Sequence, residues 1–433
     1  PAQTTGTWPM WRGPGLQGMA DGNPPITFGE KENLKWKIRT PGHGESSPVI
    51  WGDRPLLLTA VQTDKMQTPV KAARGIEAGL SEESRELLEK GAERFGIRAP
   101  GNVYDFNVLC VSREDGRQLW ATTVRKETPH EGHHSDRGYA SASPVTDGKH
   151  VWCFFGSRGM HCLDMNGGIK WSRDLGKMVT RARFGEACSP ALTRKAVIAL
   201  MDQEGPSKIL ALDRLTGKTL WERERDEGTS WTTPRVTTHD GRELVIVNGT
   251  TRTRCYDAES GKVLWECGGQ TVNVIPSPVV GFDMVYCASG FRGNALQAIK
   301  LGHSGDLTGT DAVAWEVDRY TPYVPSPLLH GENLYMLWGF RGKISCLNAR
   351  TGTIHYEKEE IEGIKNVYAS PVGVPGRIYI VSRDGKVAVL AAGPELKVLA
   401  VNELDDDIDA SPAIIGDEMY LRGKSHLYCI AKD

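Results

Sequence analysis

One hairpin motif recurs along this chain, and any fold proposed for the chain has to repeat with it. It is clearest in Ala211-Leu-Asp-Arg-Leu-Thr-Gly-Lys-Thr-Leu-Trp221 and Cys255-Tyr-Asp-Ala-Glu-Ser-Gly-Lys-Val-Leu-Trp265. Looser copies are Cys110-Val-Ser-Arg-Glu-Asp-Gly-Arg-Gln-Leu-Trp120, Cys162-Leu-Asp-Met-Asn-Gly-Gly-Ile-Lys-Trp171 and Cys346-Leu-Asn-Ala-Arg-Thr-Gly-Thr-Ile-His-Tyr356. Each reads as strand, tight turn, strand, with glycine in the left-handed region of the turn. The aromatic that follows needs a surface to pack on, and one hairpin cannot supply it. The chain is therefore a repeat array.

A second landmark counts the repeats. Ser-Pro or Thr-Pro opens a strand at Ser47, Ser143, Ser189, Thr233, Ser277, Ser326, Ser370 and Ser411. After a first interval of 96 residues the spacing is 41 to 49, the length of a four-stranded blade. Proline is tolerated there because the first strand of a blade lines the central channel as an edge strand. Asn33–Arg39 reads as a lone last strand, with Trp36 in the place of Trp120, Trp171, Trp221, Trp265 and Trp315. The C-terminal repeat stops one strand short, at Leu427-Tyr-Cys-Ile-Ala. The two fragments complete each other and leave no open sheet edge. The expected fold is all-β: an eight-bladed β-propeller of four-stranded antiparallel blades, closed in its last blade by the N-terminal strand.

Residues 1–32 read as an N-terminal tail and 33–433 as the propeller. The long first interval carries an insertion at about 63–104, between the second and third strands of blade one. Its helical part is Leu80–Phe95, with Ser81 as N-cap and Leu80, Leu87, Leu88, Ala92 and Phe95 as its apolar face. Trp8 and Trp11 of the tail read as a plug for an apolar groove.

Composition excludes several function classes. The net charge of −2 gives no case for nucleic acid or an anionic membrane. No run approaches the roughly 18 apolar residues of a membrane span. Nine cysteines, an odd number without a CxxC pair, argue against a disulfide framework or a zinc site. Cys110, Cys162, Cys255, Cys346 and Cys429 fall at one repeat position that Ala211 and Ala298 fill elsewhere, and read as buried free thiols. A Cys153–Cys162 bridge stays open, as the two share a hairpin. The chain opens Pro1-Ala-Gln, which reads as a processed or trimmed start.

The Ser-Pro openings, the Asp-x-x-Thr-Gly-x-x-x-Trp hairpins and the strand-swapped closure resemble the pyrroloquinoline-quinone-type propeller repeat family over residues 31–433. The resemblance implies the propeller fold and a periplasmic or secreted location. It points to two branches: quinone-dependent alcohol and sugar dehydrogenases, and non-enzymatic scaffolds such as the BamB lipoprotein. The enzymatic branch implies an adjacent Cys-Cys disulfide and a calcium cluster of Glu, Asn and Asp with a catalytic Asp. This sequence has no Cys-Cys pair and no assignable calcium set.

In a four-stranded blade the second-to-third strand turns and the blade-to-blade crossings share one face. Three groups of residues should meet there. His43, His130, His133, His134 and Asp136 have the chemistry of a metal site, although a solvated polar loop explains them as well. Arg158, Arg292, Arg341, Arg383 and Arg422 recur in the turns, where guanidinium forks could grip a carboxylate or phosphate or pair with local acids. Arg181, Arg183, Trp231, Tyr320 and Tyr323 in the crossings, with Asp405, Asp406, Asp407 and Asp409, suit a protein or sugar contact or the packing of the rim. The expected function is a non-catalytic, monomeric binding scaffold for a protein partner or an anionic small ligand, with no cofactor. The alternative is an oxidoreductase using pyrroloquinoline quinone with calcium, or a transition metal, at the channel mouth, with Arg181 or Arg183 on the cofactor's carboxylates. A sugar-binding or sugar-cleaving propeller is a third possibility, but no carboxylate pair is placed by sequence.

Overall fold

The computed structural model describes residues 6–67 and 80–432. Eight sheets follow one another around a central channel, each built on an antiparallel four-stranded blade whose strands mostly pair in chain order. Blade eight is completed as the sequence requires: Leu34–Arg39 pairs with His426–Ile430, outside Glu418–Arg422 and Ala413–Ile415. Two sheets carry a fifth strand. Thr7–Trp8 of the tail pairs with Val49–Trp51, and Gly305–Asp306 runs parallel to the outer strand of blade four. The first of these corrects the expectation that every inner strand is a bare edge, since in blade one the tail covers it.

The recurring motif docks each blade on the next. A Cβ on Gly261 would meet the ring of Trp221 at 2.5 Å, and Gly116, Gly167, Gly217 and Gly352 stand in the same way against Trp36, Trp120, Trp171 and Trp315. The indole N–H also donates to a carbonyl in the facing turn, as from Trp221 to Ala258 at 3.0 Å and from Trp36 to Arg113 at 3.0 Å. Glycine thus serves twice, once for its positive φ and once for the bare surface on which the neighbouring indole lies. Across the hairpin the small residue faces the aromatic: Ala211 opposite Trp221, Cys255 opposite Trp265, Cys429 opposite Trp36. The five motif cysteines are buried free thiols, and Cys153 lies opposite His161 rather than Cys162, so no bridge forms there.

The serine or threonine before each proline has a duty of its own. The backbone N–H of Ser47 donates to Ser143 Oγ at 2.9 Å, Ser143 to Ser189 at 2.9 Å, Ser189 to Thr233 at 3.3 Å and Thr233 to Ser277 at 2.8 Å. Ser277, Ser326 and Ser370 continue the relay to Ser411, each at 2.9 Å. A belt of hydroxyls therefore stitches neighbouring blades around the channel, supplying acceptors to amides that an edge strand leaves unpaired.

The tail runs across the end of the channel opposite the crossing loops. Trp8 is fully buried, and Trp11 donates its indole N–H to Ser411 Oγ at 3.3 Å, forming the channel floor. The insertion forms a helix, Glu82–Arg94, capped by Ser81, whose side chain accepts from the amide of Ser84. The flanking strands, Arg54–Met66 and Asn102–Val111, run further than expected and shorten the insertion at both ends. Leu80, Leu88 and Ala92 are buried, but Leu87 is 68 % exposed and Phe95 48 % exposed, so the apolar face is narrower than its sequence suggests. The helix packs mainly on the crossing into blade three, with Gly91 against Ala182 and Leu88 clustered with Val179, and its capping Phe95 meets His134 of the crossing into blade two.

Candidate binding site at the channel mouth

The turns and crossings do share one face, and the channel opens there into a cavity of about 110 Å³. Trp11 and the hydroxyl belt line its bottom, and Glu45, Asp136, Arg137, Trp231, Tyr368 and Asp409 line its wall. Arg383, in the turn of blade seven, ties two crossings together. Its Nε and Nη2 donate to the two oxygens of Asp409 at 2.6 and 3.2 Å, and Nη2 lies 3.0 Å from Asp136 Oδ1. Tyr368 donates its hydroxyl to Asp136 at 2.8 Å, and the Arg383 guanidinium stacks 4.0 Å from the Tyr368 ring. Asp136 is held below the usual carboxylate range by its hydrogen bonds to Tyr368 and Arg383, against the opposing effect of burial. Burial raises Asp409 despite its bonds to Arg383. Glu45 accepts from the amide of Gly138 at 2.9 Å and from Ser141 Oγ at 2.6 Å.

The histidine loop does not assemble the expected ligand set. His43 is exposed in a two-residue bridge with Ala60. His133 donates through Nδ1 to its neighbour's carbonyl at 2.9 Å and packs edge-on against Tyr139. His134 sits among Phe95 and Phe184, with Asp136 at 3.4 Å. His130 is buried and donates through Nε2 to the carbonyl of Met178 at 2.7 Å. It does belong to one cluster of metal-ligand chemistry, with Glu131 and Glu186, whose ligand atoms lie within 4.8 Å of one another. Glu131 was in view in the sequence as part of the His-Glu-Gly-His-His run, whereas Glu186 had no signal. Arg158 is buried against that cluster, 2.9 Å from Glu186, so it closes an ion pair instead of offering a charge to solvent.

Burial and the nearby charge of Glu186 push the Glu131 carboxyl up to about 8, while burial pushes His130 down to about 3. Both groups are therefore neutral near pH 7. A carboxyl with a raised native pKa holds its proton after the unfolded chain has released one. Its contribution to stability is full below about pH 4.5 and is lost as pH rises toward 8, by at most about 1.4 kcal/mol per unit. His130 acts oppositely, its contribution being present above about pH 6.5 and lost as pH falls toward 3. Glu131→Gln is expected to melt with the wild type near pH 5 and above it near pH 8, in chelator. A lower melting temperature at pH 8 in chelator would contradict this assignment. Added zinc that reverses the order at pH 8 would mark the cluster as a metal centre.

The five turn arginines part ways. Arg422 is buried and donates to the carbonyls of Ser46 and Leu58 at 3.2 and 2.6 Å, so with Arg158 it is structural. Arg383 is spent on Asp136 and Asp409. Arg292 and Arg341 are exposed and form no ion pair among the described residues; each lies over an aromatic ring instead, Phe291 at 5.4 Å and Trp338 at 4.7 Å. Between them runs an arc of rings. Phe291 stacks on Tyr323 at 4.9 Å, Tyr323 meets Phe340 at 6.4 Å, and Phe340 meets Tyr368 at 6.0 Å. Tyr320 packs edge-on to Trp338 at 5.3 Å beneath Lys358. A repeated Gly-Phe-Arg-Gly, at 290–293 and 339–342, was the sequence signal for this arc.

The other crossing residues are mostly committed locally. Trp231 is buried and donates to the Gly185 carbonyl at 2.7 Å, with Arg137 over its ring. Arg183 lies 4.0 Å from Glu131, and Arg181 sits in the short turn beneath the insertion. Asp406 accepts from the amides of Ser425 and His426, and Asp407 pairs with Lys424. The amide of Asp405 donates to Glu30 Oε1 at 3.0 Å.

Compared with known proteins, the chain matches the family described as outer membrane protein assembly factor BamB over residues 105–233 and 205–433. It belongs to that family. Among solved structures, BamB from Moraxella catarrhalis superposes with a TM-score of 0.54 at 14% identity, covering 77% of this chain and 95% of its own. The quinohemoprotein alcohol dehydrogenase from Comamonas testosteroni gives 0.61 at 9% identity, covering 99% of this chain and 81% of its own. The computationally designed Ika8 protein gives 0.55 at 13% identity, covering 77% and 95%. These likenesses carry the fold alone. No curated protein matches.

The dehydrogenase likeness raises the question of a quinone with calcium in the channel. The residues present do not fit it. Arg383 already holds the position between Asp136 and Asp409 that a divalent cation would need, and Glu45 is bonded to Gly138 and Ser141. A quinone bearing several carboxylates would meet Glu45, Asp136 and Asp409 in the wall against Arg137, which lies over the Trp231 ring and is the wall's one guanidinium, with no carboxylate partner among the described residues.

Proposed function

We propose that this member of the BamB-like family is a non-catalytic, periplasmic or secreted scaffold that takes an acidic segment of a protein partner on its crossing-loop face, over blades five to seven. One observation carries the reading. An arc of partly exposed rings, Phe291, Tyr323, Phe340 and Tyr368, is flanked by two exposed arginines that pair with no acid among the described residues. Aromatic and arginine side chains at the centre of a rigid surface are the usual anchors of protein contacts. An unpaired guanidinium fork favours a carboxylate held in its plane. The rim is rigid because Arg383 and the hydroxyl belt fix it from within, so little ordering entropy opposes binding.

The rival reading, a metal-dependent oxidoreductase, draws its support from the His130, Glu131 and Glu186 cluster. The two readings predict different losses. Arg292→Ala, Phe340→Ala and Arg341→Ala combined should weaken capture of extracytoplasmic partners at least about tenfold, with salt dependence reduced. Bound proteins unchanged by the triple variant would remove this face as the site.

A further inference from the structure

Where the tail meets the inner strands, two buried arginines are answered by no acidic side chain among the described residues. Arg12, in the tail, is fully buried, and Arg235, which opens the inner strand of blade four, is 5 % exposed. Arg12 donates through Nη2 to the carbonyl of Pro327 at 2.5 Å. Its Nε and Nη1 are buried without a hydrogen-bond partner, and so are Nε and Nη1 of Arg235. Neither residue forms an ion pair among the described residues.

The repeat does not ask for a charge here. The other seven blades place valine, alanine or leucine directly after the Ser-Pro pair, where blade four has Arg235. The tail, in turn, is shaped around both guanidinium groups. Gly15 and Gly18 have φ of 59° and 72°. A Cβ on Gly15 would stand 3.4 Å from Arg235 Nη2, and one on Gly18 would stand 3.0 Å from Arg12 Nη2. Burial and the proximity of Arg235 both disfavour the charged form of Arg12. A guanidinium nevertheless keeps its proton in a protein, so two like charges remain buried together. Such a pair is costly until a counter-charge joins it.

We propose that a small inorganic anion of chloride size binds between Arg12 and Arg235 and locks the N-terminal tail onto blade four. The tail closes over the pair and shields it from solvent, which favours an ion over an organic acid. A halide accepts N–H donors from any direction, and that suits two forks carried by separate elements.

The test uses the full chain. Thermal melting in sodium chloride is compared with sodium gluconate at equal ionic strength, because gluconate is too large to enter. The wild type is expected to gain about 2 °C or more in chloride. Arg235→Val, which restores the residue type of the other blades, is expected to fold and to lose that gain. Crystals soaked in bromide should show one anomalous peak between the two guanidinium groups. An equal chloride response in both proteins would overturn the proposal. So would ordered side chains for Arg12 and Arg235 with only water, or nothing, between them.

Discussion

Removing residues 1–39 is expected to send the protein into the insoluble fraction, while removing residues 1–30 leaves a soluble monomer with a lowered melting temperature. The difference is one strand. Leu34–Arg39 covers the outer edge of His426–Ile430. Without it, a row of unpaired amides and carbonyls faces solvent beside Tyr420 and Tyr428, a template for edge-to-edge association. Trp36 adds to the cost. It is 8 % exposed, lies edge-on to Tyr420 at 5.7 Å, and covers Gly116 of blade one. Trp36→Ala alone should cost about 3–5 kcal/mol in a urea melt. A soluble, monomeric chain starting at Thr40 with wild-type melting would show that closure does not depend on this strand.

Arg225→Ala is expected to be the most damaging single change near the mouth. Arg225 and Asp202 are wholly buried side chains joined by bonds of 2.7 and 3.2 Å. Asp202 also accepts from Ser230 Oγ at 2.7 Å, and Arg225 donates to the Tyr256 hydroxyl at 2.5 Å. The network joins the outer strand of blade three to blade four and pins the crossing that bears Trp231. Removing the guanidinium strands a buried carboxylate, which costs about 3–5 kcal/mol, whereas replacing both partners with leucine should recover most of it. Equal stability of the single and double variants by urea melting would show that the pair is not the reason for the loss.

Closure and docking were legible because both are written locally and then repeated. A Thr-Gly turn needs glycine, the Trp ten residues after the strand start needs a flat surface, and each copy answers the next. The exposed arc was half legible. Arg292, Arg341, Tyr320 and Tyr323 were in view, but Phe291, Phe340 and Tyr368 were not, because an aromatic in a turn looks the same whether it packs inward or along a rim.

The sequence by itself determined the blade count, the strand that closes the ring, the place of the insertion and the burial of the motif cysteines. These follow from periodicity and from residue size at fixed repeat positions, which neighbours cannot alter. Only the tertiary structure decided which charges are free. Arg383 meets Asp136 across more than two hundred residues of chain, and Arg422 reaches the carbonyls of blade one. His130 finds Glu186 rather than His133 or His134. A titratable side chain is defined by its partner, and in a closed ring the partner comes from whichever blade is adjacent in space. That is also why the hydroxyl belt and the paired charges of Arg12 and Arg235 emerge only once the ring is closed.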